Sequence, residues 1–384
     1  MKKILIVDDE VQILKALSRM FLDTDYEIFT ADNSMEALKL LETTEINMVI
    51  SDMRMPEMDG YKLLSMIKDK YPDIIRIILS GYADEKPMFQ ALLHNVAKLY
   101  IFKPWNNDSF LESINKLFAD EKELNSADLK ARLEQIDCSC IMPENCNKMF
   151  ALIEEENLDT LIEEIEQDTE ISRLLMEVAK SGVYGAMPDK VKQAAIYIGL
   201  HNLKSFLRFA CVMSSFGSED GGPKILCKHS YLTNRIFLFL FEVFLHKQPA
   251  ESTMFAGLMH NIGLFLLLSN TKTGKAASSV QDFVQLDYGE DEILHQELGA
   301  YFLDQWDLPF PVYETALYHH RPLDANVITH ELVSCVHIAQ AYAWKHLGSE
   351  SLAGARSISV DPAVFERIGV SVTDFEKRLA KYLK

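Results

Sequence analysis

Residues 50–64 read ISDMRMPEMDGYKLL. The apolar run Met48–Ser51 ends on the carboxylate of Asp52, and a turn carrying Pro56 and Gly60 leads into an amphipathic stretch. The same unit recurs on both sides of it. Short apolar runs lie at Ile4–Val7, Tyr26–Thr30, Ile74–Leu79 and Leu99–Phe102, separated by helical patterns such as Ile13, Leu14, Leu17, Met20 and Phe21. Strands that are apolar almost throughout and alternate with helices form a parallel sheet covered on both faces. Five such units predict a doubly wound α/β fold of flavodoxin-like order, with its site outside the carboxyl ends of the strands.

The chemistry-bearing residues fall at those ends. Asp8 and Asp9 follow the first run and Asp52 closes the third, so three carboxylates converge on one crevice. Crowded like charges raise one another's pKa, and a hard cation relieves them. Oxygen ligands of this kind suit Mg²⁺. Ser80 follows the fourth run with a hydroxyl, and Lys103 follows the fifth with an ammonium, just before Pro104. A cation, a hydroxyl and a lysine around one carboxylate form a site for a phosphoryl group, with Asp52 as the nucleophile.

The segments ILIVDDE (4–10), ISDMRMPEMDGYKLL, RIILSGYAD (76–84) and YIFKPW (100–105) resemble a response-regulator receiver domain over nearly all of residues 1–120. The resemblance implies that Asp8 and Asp9 are the acidic metal pair and Asp52 the phosphoacceptor. It implies that Arg54 lends its backbone carbonyl to the metal, that Ser80 is the switch hydroxyl and that Lys103 binds the phosphoryl group. Tyr100 is similar to the aromatic switch residue that turns inward on activation. A sensor histidine kinase is the implied phosphoryl donor.

Beyond residue 120 the pattern changes. Residues 121–148 read as a charged helical connector, with Leu117, Leu124, Leu129, Leu133 and Ile136 spaced roughly as one stripe. The stripe fits either a homodimer through the connector helix or a monomeric amphipathic linker. From there strands disappear, and long helical patterns follow, among them Leu158–Ile165, Leu203–Met213, Ser230–Leu245, Ala256–Leu268 and Leu332–Leu347. The breaks at Ser218–Pro223 and Asn270–Gly274 are helix-stopping material. These patterns predict an all-α domain over 149–345 and a helical tail over 346–384.

The strings at 165–181, 255–268, 295–322 and 332–343 resemble the HDOD domain, a relative of HD-family phosphohydrolases. The HD metal ligands are a first histidine, a His-Asp doublet and a later aspartate. Carried over, they fall on His229, His260, Asn261 and Gln340. Two carboxylates have become amides, which hold hard divalent ions poorly and cannot serve as a base for water. The reading is a degenerate site with no cofactor in this domain, and His319-His320 as a structural pair near carbonyls at a helix end. The output would act through an unknown downstream protein. The alternative is a metal-dependent phosphohydrolase, for instance on a cyclic dinucleotide, under receiver control.

Composition bounds these readings. A net charge of −19 argues against nucleic acid and anionic membrane as partners. The apolar stretches are too short to span a bilayer, and the N-terminus lacks signal-peptide character. A cytoplasmic protein is expected, with its six cysteines reduced, including Cys138, Cys140 and Cys146.

Overall fold

In the computed structural model the described residues are 1–81, 95–134, 144–155, 157–179, 188–214, 221–269, 279–289, 292–348 and 358–383. The chain divides into two compact units, Met1–Asp120 and Glu121–Lys384.

The first unit is a five-stranded, wholly parallel sheet. Its strands are β1 (Lys2–Val7), β2 (Tyr26–Ala31), β3 (Met48–Asp52), β4 (Ile75–Ser80) and β5 (Leu99–Phe102), in the order β2-β1-β3-β4-β5. This is the expected doubly wound order, and each strand starts and ends within two residues of its apolar run. Ile4–Val7, Met48–Ile50 and Ile77–Leu79 are fully buried. Each such side chain contributes about 1.5–3 kcal/mol of burial, which makes the middle of the sheet its most stable part.

Register then aligns the strand ends. Val7 pairs with Ser51, Asp52 with Leu79, and Ser80 with Phe102. Helix α1 (Val11–Met20) follows β1, and α2 (Ser34–Thr43) and α3 (Gly60–Lys70) start where side chains cap them: Asn33 accepts from the Glu36 N–H and Asp59 from the Lys62 N–H. Gly60 is required for closeness: a Cβ there would stand 2.0 Å from the Asp52 carbonyl oxygen. The turn after the strand is thereby held against the site. Helix α4 (Asn107–Leu124) closes the unit, with Phe110 edge-on to Phe21 and Phe118 stacked on Tyr26.

The second unit is helical among its described residues. It begins with α5 (Ala127–Leu133), capped by Ser126. It continues through α6 (Glu144–Glu154), α7 (Leu158–Gln167), α8 (Thr169–Ala179), α9 (Val191–Ile198), α10 (Leu200–Ser214) and α11 (Gly221–Val243). Next come α12 (Ala256–Met259), α13 (Ile262–Ser269), α14 (Val280–Asp287), α15 (Glu292–Gln305), α16 (Phe310–Tyr318) and α17 (His330–His346). Helices α18 (Pro362–Arg367) and α19 (Val372–Tyr382) end it. Helices α11 and α17 pack side by side as its centre. Ile236 to Phe241 are buried all around the helix, as an unbroken apolar run requires. Phe365 and Phe375 bring the last two helices onto Tyr342 and Phe244, so the tail shares this core.

Four expectations change. Ala256–Leu268 is not one helix: the chain breaks between Met259 and Ile262, at His260-Asn261, a break that uniform apolarity conceals. Pro223 does not stop a helix but stands in the first turn of α11, where its missing N–H costs nothing. Leu129 of the supposed dimer stripe is fully buried where α5 packs on α15, within the chain itself. Cys146 is not a free thiol: α6 packs on α10 and pairs it with Cys211 in a buried disulfide. Cys138, Cys140, Ile136 and the break at 270–274 lie outside the described residues. No helix among the described residues is long and apolar enough to cross a membrane.

Candidate functional site

The crevice at the strand ends of the first unit is assembled by the register. Asp8 and Ser80 are fully buried and Asp52 nearly so, while Asp9 is exposed beside them. The Lys103 ammonium joins the two buried carboxylates, 2.9 Å from Asp8 Oδ2 and in direct contact with Asp52 Oδ1. The other oxygens are fixed by the backbone: the Arg54 N–H donates to Asp52 Oδ2 at 2.7 Å, and the Glu10 N–H to Asp8 Oδ1 at 2.9 Å. Ser80 Oγ donates to the Gly81 carbonyl at 3.2 Å. Burial pushes the Asp52 carboxyl above its usual range, against the pull of Lys103. Burial works to lower the Lys103 ammonium, but its bonds to Asp52 and Asp8 outweigh that and hold it raised. Tyr100, opposite Ile78 in the register, packs on the core of this unit; burial of its hydroxyl raises its pKa.

The structure thus joins Asp8, Asp52 and Lys103 directly, with Ser80 next after Leu79, the register partner of Asp52, and with Asp9 exposed next to Asp8 in sequence. Two buried carboxylates already sharing one cation are a donor set that a hard divalent ion fits. Arg54 is tied to the site through its N–H.

A second concentration of polar groups lies inside the helical unit. His229 and His260, on α11 and at the break after α12, approach with ring centroids 5.5 Å apart. His229 stacks on Trp344 at 3.7 Å and donates through Nε2 to the Gln340 carbonyl at 3.1 Å. His260 Nδ1 donates to the Gly257 carbonyl at 2.8 Å, leaving Nε2 a buried lone pair with no hydrogen-bond partner among the described residues. The Asn261 amide is buried, and among the described residues neither of its atoms has a hydrogen-bond partner. The Gln340 side chain donates to the His319 carbonyl at 3.2 Å. The four HD-related positions therefore come together, but as amides and neutral rings. Burial drives His229 down to about 4 and His260 well below its ordinary value.

Next to them stands a group whose three histidines lie in the 295–322 string and whose fourth member no motif announced. His295, His319 and His320 place their Nε2 atoms 3.4, 4.0 and 3.0 Å from Asp287 Oδ1, and one polar atom from each of the four residues lies within 4.8 Å of the other three. His319 meets the expected helix-end carbonyl, donating through Nδ1 to Ala316 at 2.7 Å, but His320 instead reaches Asp287 at 3.0 Å. Asp287 is fully buried, and the Trp344 indole N–H donates to its Oδ2 at 2.7 Å. Asp287 escaped the sequence reading because a lone aspartate on an amphipathic helix carries no signal; the histidines 8 to 33 residues further on are the only hint. Gly263 sets the depth of this group: a Cβ there would stand 1.9 Å from the His295 carbonyl oxygen.

Comparison with known proteins agrees with this division. The response regulator receiver domain family matches residues 4–115, and the HDOD domain family matches residues 140–322. The chain is 32% identical over 117 residues to the chemotaxis protein CheY of Listeria monocytogenes, covering 30% of this chain and 98% of that one. It is 35% identical over 133 residues to the hydrogenase transcriptional regulatory protein HoxA of Bradyrhizobium diazoefficiens, covering 33% of this chain and 27% of that one. It spans about a quarter of the length of the HoxA relatives and 64% of the response regulator SaeR of Staphylococcus epidermidis. Among solved structures, the signal receiver domain of an HD domain-containing protein from Pseudomonas fluorescens is 32% identical. That match covers 31% of this chain and 96% of the other, with a TM-score of 0.31. A parallel sheet with an acidic crevice at its strand ends, a helical unit behind it in sequence, and matches to both families lead to one assignment: the chain belongs to the response-regulator family, as a receiver domain followed by an HDOD domain.

Proposed function

We propose that Asp52 accepts a phosphoryl group from a sensor histidine kinase, and that this event switches an HDOD unit acting by protein contact rather than by catalysis. The observation that carries the reading is the Lys103 ammonium held between the buried Asp8 and Asp52 carboxylates. Asp52 Oδ1 is the attacking oxygen, while the Arg54 N–H steadies Oδ2. Bond formation removes the charge from Asp52, so Lys103 turns to the phosphoryl oxygens while Asp8 keeps it in the crevice. Ser80 exchanges the Gly81 carbonyl for a phosphoryl oxygen, and the space it leaves draws on Tyr100. Mg²⁺, held by Asp8, Asp9, Asp52 and the Arg54 carbonyl, would supply the remaining positive charge.

The output half of the reading rests on Asn261 and Gln340. Neither amide can take a proton from water, and both residues are fully buried. A chain with a net charge of −19 has no surface excess of cations for nucleic acid, which favours a protein as the downstream partner. The test is acetyl phosphate with Mg²⁺, read by intact-protein mass spectrometry. One phosphoryl group per chain is expected, and none in Asp52→Ala; labelling that persists in the variant would remove Asp52 from its role.

A further inference from the structure

We propose that the Glu123–Arg321 ion pair is the coupling latch of this chain, the contact through which phosphorylation at Asp52 reaches the helical unit. The inference rests on the phosphoacceptor reading above and names the step that follows it.

The first argument is position. Helix α4 starts at Asn107 in the first unit, and its last residues, 121–124, belong to the second. Glu123 therefore lies where the covalent path out of the receiver enters the helical unit. Its carboxylate leaves its own helix: Oε1 accepts from Arg321 Nη2 at 2.9 Å, a partner 198 residues away. Arg321 follows His320 directly. Its backbone N–H donates to the Tyr318 carbonyl at 2.8 Å, and its guanidinium lies 5.1 Å from the centre of the Tyr318 ring. A pull on Arg321 is thus a pull on the end of α16, where Tyr318 and His319 are fully buried.

The second argument is the seat around the pair. Leu124 and Leu129 are buried, and α5 packs on α15, so the connector is anchored by apolar contacts within the helical unit. The ion pair adds a directional polar contact to that anchor. Its side chains are 33% and 25% exposed, so water can replace either partner when the contact opens. Arg321 also keeps Asp324, whose Oδ2 lies 3.7 Å from Nη1, so opening leaves no bare guanidinium.

The third argument is charge. A carboxylate in the last turn of a helix faces the negative end of the helix dipole. Across from Glu123 stands Glu297 on α15, whose carboxyl is raised by burial first and by Glu123 second. Arg321 compensates both repulsions. With Arg321 in reach Glu123 is held, and out of reach it is repelled. A contact that attracts when made and repels when missed has two arrangements, which is what a coupling element needs.

The test is hydrogen exchange on the full-length protein with Mg²⁺, with and without beryllofluoride, in the wild type and in three variants. In the wild type the mimic should change exchange around Tyr100 and, by about fivefold or more, in the helices beyond Glu121. Glu123→Ala and Arg321→Gln should keep the change at Tyr100 and cut the helical response to less than about twofold. Asp128→Ala, which removes the acid of the neighbouring surface pair with Arg132, should keep both responses. A helical response undiminished in Glu123→Ala, or lost as fully in Asp128→Ala, would overturn the latch and leave the phosphoacceptor reading standing. So would a wild-type response that stops before Glu121. No change at Tyr100 in the wild type would instead strike the phosphoacceptor reading, and the latch with it.

Discussion

The two polar sites of this chain solve opposite problems. At the strand ends of the receiver, acidic groups crowd at the rim of a sheet, and one ammonium, Lys103, bridges Asp8 and Asp52. One of the acids, Asp9, is open to solvent. In the helical unit, seven polar positions, His229, His260, Asn261, His295, His319, Gln340 and Asp287, are fully buried, with a single carboxylate among them. The first arrangement holds repelling charge within reach of a phosphoryl donor, which is what a nucleophile needs. The second excludes water and offers imidazoles in fixed tautomers, which suits holding something in place. Chemistry belongs at the rim; rigidity belongs in the core.

The largest contrast this predicts is in turnover. The receiver should take up and release phosphoryl groups, whereas the full-length protein should show no metal-dependent hydrolysis of nucleotides or cyclic dinucleotides, with Mn²⁺, Fe²⁺ or Zn²⁺ present. Product analysis by chromatography measures this. Turnover that disappears in both His229→Gln and His260→Gln would break the contrast and make the HDOD unit an enzyme.

Acid sharpens the comparison next. Burial holds His229 and His337 down at about 4, so the folded helical unit keeps them neutral where the unfolded chain, near 6.5, takes up protons. Their contribution to stability is complete above pH 6.5 and is lost as the pH falls from 6.5 toward 4. At 1.36 kcal/mol per pKa unit the loss reaches about 3 kcal/mol for each histidine. Asp52 has the opposite sign: its carboxyl is raised in the fold, so its protonation in acid favours the folded receiver. Calorimetry at pH 7 and pH 5 should therefore show the helical transition falling further than the receiver transition. Equal shifts in both would contradict the assignment of buried, neutral histidines.

How much of this was legible in the sequence follows from how each site is built. Each receiver residue stands at or just after the end of its own apolar run, so the period of the strands places Asp8, Asp52, Ser80 and Lys103 before any coordinate is known. Parallel register does the rest, because aligned strands align their ends. The helical cluster has no such local rule. Asp287 and His320 are 33 residues apart and His295 and His319 are 24 apart, joined only by how α14, α15 and α16 cross. Likeness to HD enzymes led to His229, His260, Asn261 and Gln340, and these do meet, yet it was silent on Asp287. Cys146 and Cys211, 65 residues apart, are hidden for the same reason. The break at His260-Asn261 was invisible because both flanks are uniformly apolar, and periodicity has nothing to mark in a segment buried on every side.

The central claim is that the receiver's phosphoryl chemistry governs the helical unit. Hydrogen exchange on the full-length protein, with Mg²⁺ alone and with Mg²⁺ plus beryllofluoride as a phosphoryl mimic, tests it most directly. Protection should change around Ser80 and Tyr100 and also beyond Glu121, in the helices of the HDOD unit. Changes that stop before Glu121 would show two domains that share a chain without sharing a signal.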